Sequence, residues 1–108
     1  HLPFPFPWVL EDYDGNGADL FNSHLEQLKN DGTDLKKIAA FFVESFQGWG
    51  AIFYPNDYIK AMREWCDHNQ TLLVFDEIQA GFGRTGDGTH GAKVHCPHHL
   101  VQGAFNVR

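Results

Sequence analysis

Positive charge is scarce in this chain. Eight lysines and arginines stand against fourteen aspartates and glutamates, a formal net charge of −6, and no basic cluster is longer than Lys36-Lys37. A polyanion finds little to hold, so neither nucleic acid nor an anionic membrane surface is expected as a partner. Cysteine is nearly absent too. Cys66 and Cys96 lie far apart without a C-x-x-C spacing, which argues against a disulfide framework or a thiol redox motif and for a reducing, cytoplasmic setting. Long apolar runs are missing: IAAFFV and TLLVF are far shorter than the ~20 residues that span a bilayer. The opening HLPFPFPW carries three prolines where a signal peptide needs a cationic end and an apolar stretch. It also begins without methionine, and is read as cut from something longer.

What the chain does have is enough apolar residue, 43% of 108 positions, for one modest core. Residues 1–37 are expected to be a proline-rich extended segment, a loop around DYDGNG, and an amphipathic helix. In that helix Leu20, Phe21, Leu25 and Leu28 recur at helical spacing, with Asp19 as the expected cap and Asn30-Asp31-Gly32 as the stop. IAAFFV, Ile38 to Val43, is too short for a globular helix and predicts a strand buried on both faces, ending at Glu44. After a glycine-bearing loop, Asn56 is the expected cap of a helix whose stripe is Ile59, Met62 and Cys66, widened by Tyr58, Ala61 and Trp65 and closed near His68-Asn69. TLLVF, Thr71 to Phe75, predicts a second buried strand ending at Asp76. His24 and His68 are read as surface or boundary residues of the two helices.

Strand, helix, strand in this order is a βαβ unit with parallel strands. Glu44 and Asp76 then fall at the same edge of the sheet, the edge where open α/β sheets bind ligands. Beyond Asp76, the loop Gly81-Phe82-Gly83-Arg84-Thr85-Gly86 matches G-x-G-x-x-G, but its first glycine comes too late after the strand and no apolar helix follows. The dinucleotide reading is therefore set aside. His90, His95, Cys96, His98 and His99 suggest zinc by type only, since no two pairs have a structural-zinc spacing. No metal site is expected, and residues 87–108 are taken as a divergent or disordered tail.

ESFQGWGA, the helix ending EWCDHN, and TLLVFDEIQAGFGRTG, in that order, resemble the class III aminotransferases, pyridoxal-phosphate enzymes of the 4-aminobutyrate and acetylornithine type. The resemblance covers most of residues 38–86, the βαβ core with its cofactor-edge loop. It implies an α/β fold, as part of the large cofactor-binding domain of a fold-type I aminotransferase. It further implies pyridoxal 5'-phosphate as cofactor, an amino donor and a 2-oxo acid as substrates, and a homodimer in the complete enzyme.

Residue by residue, the resemblance implies that Asp76 faces the pyridine nitrogen, where a carboxylate holds the ring protonated and electron-withdrawing. Gln79 is implied to reach the ring oxygen, and Glu44 to lie on the substrate side. Gly81, Gly83 and Gly86 would let the backbone turn beside cofactor and subunit, and Arg84 would organise that loop. The departures are Ser45 where the family usually has proline, and Trp49-Gly50-Ala51 in place of smaller and acidic residues. The family's phosphate-binding and ring-stacking residues match nothing in this chain, and Ala104 stands where its Schiff-base lysine belongs. Lys93 falls too soon after Asp76, and Lys29, Lys36, Lys37 and Lys60 all precede it. The chain alone is thus expected to be inactive. The alternative is a non-catalytic α/β interaction module that keeps the family's framework.

Overall fold

Two apolar runs become the sheet. In the computed structural model, which describes residues 1–80 and the backbone of residues 100–102, β1 (Ala40–Glu44) pairs in parallel with β4 (Leu72–Asp76), from Ala40↔Leu72 to Glu44↔Asp76. Between them the chain makes a small antiparallel hairpin, β2 (Phe46–Gln47) with β3 (Ile52–Phe53). It then crosses over through α3 (Asn56–Asn69). A further strand, β5 (Leu100–Gln102), adds in parallel to the other side of β4, giving the order β1-β4-β5. The expected βαβ unit is present, and both acids end their strands at one edge.

Before the sheet comes α2 (Gly17–Asn30), packed against α3. Its start differs from the expectation. Asn16, not Asp19, is the cap: the Asn16 side chain accepts from the N–H groups of Ala18 and Asp19, each at 3.1 Å, and donates to Asp19 at 2.7 Å. Asp19 sits inside the first turn, where a carboxylate still complements the helix dipole. The reason lies in the preceding turn, because Gly15 at φ +76° places Asn16 in the extended conformation that a cap requires. The expected stop holds, with Gly32 at φ +87° just beyond the last turn. In α3 the cap position falls on Pro55 without a side-chain bond, and Asn56 is the first helical residue.

Close approach of the two helices depends on a glycine. The Gly17 N–H donates to Asp57 Oδ2 at 2.7 Å, and a Cβ at Gly17 would lie 2.9 Å from the backbone nitrogen of Tyr58. The core lies between these helices and the sheet: Leu20, Phe21 and Leu25 from α2, Tyr58, Ile59, Met62 and Cys66 from α3, Phe41 and Val43 from β1, Leu73 and Phe75 from β4. The α3 stripe is thus as expected.

Three further expectations need correction. Residues 1–18 are not simply extended and looped, since Pro7–Leu10 form one helical turn (α1) and Glu11–Tyr13 a 3-10 turn. Pro7 stands at the start of α1, where its fixed φ favours helix and its missing N–H costs nothing. Among the described residues the outer face of the strands is covered only in part: Phe42 is 75% exposed and Leu72 43% exposed, although Val74 on the same face is buried, and the described helices pack on the other side. His24 is not a boundary residue but 5% exposed, its Nδ1 sharing a 2.9 Å hydrogen bond with the Tyr58 hydroxyl. Burial lowers the His24 pKa and raises that of Tyr58 above the usual phenol range, with Tyr54 a lesser cause for the latter.

Candidate functional site

The edge where β1 and β4 end holds a recess of about 180 Å³ lined by Glu44, Phe46, Asp76, Ile78, Gln79 and Ala80. All three residues singled out by the sequence, Glu44, Asp76 and Gln79, are therefore brought together. The parallel register explains the two acids, since Glu44↔Asp76 is the last rung of the ladder. A tight turn explains the amide. Asp76 Oδ1 accepts from the Ile78 N–H at 2.9 Å, an Asx-turn that folds the chain back directly after the strand and brings Gln79 to the same recess.

The acids differ in surroundings. Glu44 is exposed and Asp76 half-buried. Behind Glu44 stands Tyr54, whose phenol is pushed up to about 12, first by burial and second by the Glu44 charge. Tyr54 is thus a neutral donor group throughout the physiological range. A larger groove of about 470 Å³ runs from Glu44, Gln47 and Tyr54 along Leu2, Pro3 and Phe4. Glu44 lies on both cavities, but only the smaller one collects both acids and the amide.

Two features of this edge escaped the sequence reading. Gly48, in the β2–β3 hairpin, is where the Gln79 side chain lies: an added Cβ would collide with the Gln79 amide oxygen. Ser45, fully buried, donates its hydroxyl to Glu77 Oε1 at 2.5 Å, and Glu77 is itself only 8% exposed. Reading the parallel register one step past Glu44↔Asp76 sets Ser45 opposite Glu77, so this pair could have been found from sequence. The Gly48 contact could not, because nothing in GWGA indicates which side chain fills the gap.

Gly81, Gly83, Arg84 and Gly86 lie outside the described residues, as do His90, Lys93, His95, Cys96, His98, His99 and Ala104. Among the described residues, no three His, Cys, Asp or Glu are grouped to hold a metal ion, and no helix is long and apolar enough to cross a membrane.

The two carboxylates and the amide lie at the carboxyl edge of a parallel sheet, the place where open α/β sheets generally bind ligands. The family model described as aminotransferase class-III matches residues 1–95. The chain belongs to the class-III aminotransferase family. The match takes in the proline-rich opening and α2 as well as the βαβ core. Among similar proteins, the mitochondrial acetylornithine aminotransferase of Alnus glutinosa is 52% identical over 52 residues, 47% of this chain and 12% of that protein. The acetylornithine aminotransferase of Synechocystis is 47% identical over 68 residues, 57% of this chain and 16% of the relative. That of Methanocaldococcus jannaschii is 48% identical over 63 residues, 57% and 15% respectively. The chain spans only about an eighth to a sixth of the length of these curated relatives.

Proposed function

We propose that this chain supplies the pyridine-nitrogen side of a pyridoxal 5'-phosphate site, in the large domain of a fold-type I aminotransferase. The complete enzyme would move an amino group between an amine or amino acid and a 2-oxo acid, as a homodimer. The observation that carries the reading is the gathering of Glu44, Asp76 and Gln79 on one recess at the carboxyl edge of a parallel sheet. The donor set fits the cofactor: a carboxylate can accept from a ring N–H, and an amide can donate to a ring oxygen. When bound, the cofactor supplies an electron sink.

The chain's own residues have separable tasks. Asp76, with Oδ1 fixed by the Ile78 N–H, keeps a proton on the ring nitrogen, because an opposite charge nearby favours the charged form. Gln79, seated over Gly48, orients the ring edge. Glu44 opens toward the larger groove beside Tyr54, the side from which a substrate would approach. The names of the relatives favour an amino acid of the acetylornithine kind as donor.

The test is a full-length acetylornithine aminotransferase in which residues 38–86 of this chain replace the matching stretch. The graft should retain the cofactor and turn over, while Asp76→Asn in it should retain the cofactor with turnover reduced by at least about 10²-fold, the scale of losing a transition-state electrostatic contact. Equal turnover with and without the substitution would remove Asp76 from the mechanism. The chain by itself should not transaminate. With pyridoxal phosphate and borohydride it should show no stoichiometric lysine labelling by mass spectrometry, whereas labelling of Lys93 with amino-group transfer would overturn that part of the proposal.

A further inference from the structure

The edge carries a second pair of side chains directly behind the recess. Ser45 follows Glu44 and Glu77 follows Asp76, so each is one residue past the last rung of the β1–β4 ladder. At that point the backbones part, one into the β2–β3 hairpin and the other into the Asx-turn. The Ser45 hydroxyl, bonded to Glu77 Oε1 at 2.5 Å, continues the ladder with side chains where the main chains no longer pair.

We infer that Ser45 is a positioning residue for Asp76, acting through Glu77. Successive side chains in extended chain point to opposite sides, so the carboxylate of Glu77 goes into the protein while that of Asp76 goes to the recess. A buried carboxylate needs a donor or it is driven toward water. Ser45 is the donor that this carboxylate has among the described hydrogen bonds, and it is completely buried. Without it Glu77 would turn outward, rotating the peptide between Glu77 and Ile78 and carrying the Ile78 N–H off Asp76 Oδ1. Asp76 would lose the bond that fixes its carboxylate, and a second acid would enter the recess. The tie therefore keeps one carboxylate, in one orientation, at the place proposed for the ring nitrogen. In its catalytic meaning the inference rests on the proposed function; in its structural content it does not.

The experiment separates the two. The amide resonance of Ile78 and its hydrogen-exchange protection report the Asp76 contact directly and need no cofactor. In the full chain, Ser45→Ala should shift the Ile78 amide and lower its protection by about tenfold, the equivalent of one net hydrogen bond. Ser45→Thr, which keeps the hydroxyl, should leave both near the wild-type values. Glu77→Gln, which keeps an acceptor for Ser45, should do the same. If Ser45→Ala does not fold, Ser45→Cys, with a weaker donor of similar shape, should give an intermediate shift. An Ile78 amide unmoved in Ser45→Ala or in Ser45→Cys overturns the inference, as does an equal shift in Ser45→Thr and Ser45→Ala. Failure of the cofactor reading appears elsewhere, as unchanged turnover on Asp76→Asn in the grafted enzyme.

Discussion

Neighbouring residues of the same strands meet opposite fates in this molecule. Phe41, Val43, Leu73 and Phe75 point into the layer made by α2 and α3 and are buried, while on the other face Phe42 stands largely in solvent and Leu72 is 43% exposed, with Val74 between them in the sheet still buried. The residues are chemically alike, so the difference is one of what covers them. An apolar run tells that a strand can be buried on two faces, not that both faces have a partner within the same stretch of chain. The carboxyl edge shows a similar division among its acids. Glu44 and Asp76 reach the recess, whereas Glu77 turns inward to Ser45.

The covered face should be the costly one to disturb. Phe75→Ala is expected to destabilise the chain by about 3–5 kcal/mol, the range for emptying a buried aromatic site, measured by urea unfolding. A loss below about 1 kcal/mol would mean that the helical layer is not packed as described.

A smaller, pH-dependent effect should come from His24, deep in the same layer. Burial lowers its pKa below the ordinary 6.5, so the folded state resists the proton that the unfolded chain accepts. Its contribution is then fully present above pH 6.5 and is lost as the pH falls through that value toward the lowered pKa. The unfolding midpoint should therefore drop between about pH 7.5 and pH 5.5. His24→Asn should remove that part of the drop, and a slope unchanged by the substitution would count against a buried neutral histidine.

The smallest effect belongs to the open face. Phe42→Ser should change the stability of this chain by no more than about 0.5 kcal/mol, as for surface positions generally. A loss comparable to that of Phe75→Ala would show that something in the chain covers Phe42 after all, and the contrast between the faces would disappear.

Much of this architecture was legible in the residues. The spacing of Ile59, Met62 and Cys66 gave α3 its buried stripe, and the two short apolar runs gave parallel strands with an acid at each end. The position of the α2 cap was not, because DGNGAD offers three side chains able to cap, Asp14, Asn16 and Asp19, and only the backbone of Gly15 decides for Asn16. Nor was the burial of His24. A histidine on a helix reads as polar until Tyr58, 34 positions on, supplies its hydrogen bond from another helix. At the site, the acids followed from strand pairing and Gln79 from the family resemblance. The Ser45–Glu77 tie needed only one more step of the same register, whereas the seat of Gln79 on Gly48 depends on the third dimension, in which the hairpin comes to lie beside the turn after β4.

If Asp76 holds a proton on the cofactor's ring nitrogen, as proposed, that nitrogen itself will report it. The grafted full-length enzyme would be loaded with pyridoxal phosphate labelled with ¹⁵N in the ring, and its nitrogen resonance followed with pH, with Asp76 and with asparagine in its place. With Asp76 the resonance should stay at the protonated position across the neutral range, and with Asp76→Asn it should move to the unprotonated position while the cofactor remains bound. The same resonance in both proteins would contradict the assignment of Asp76 and, with it, the cofactor reading of this edge.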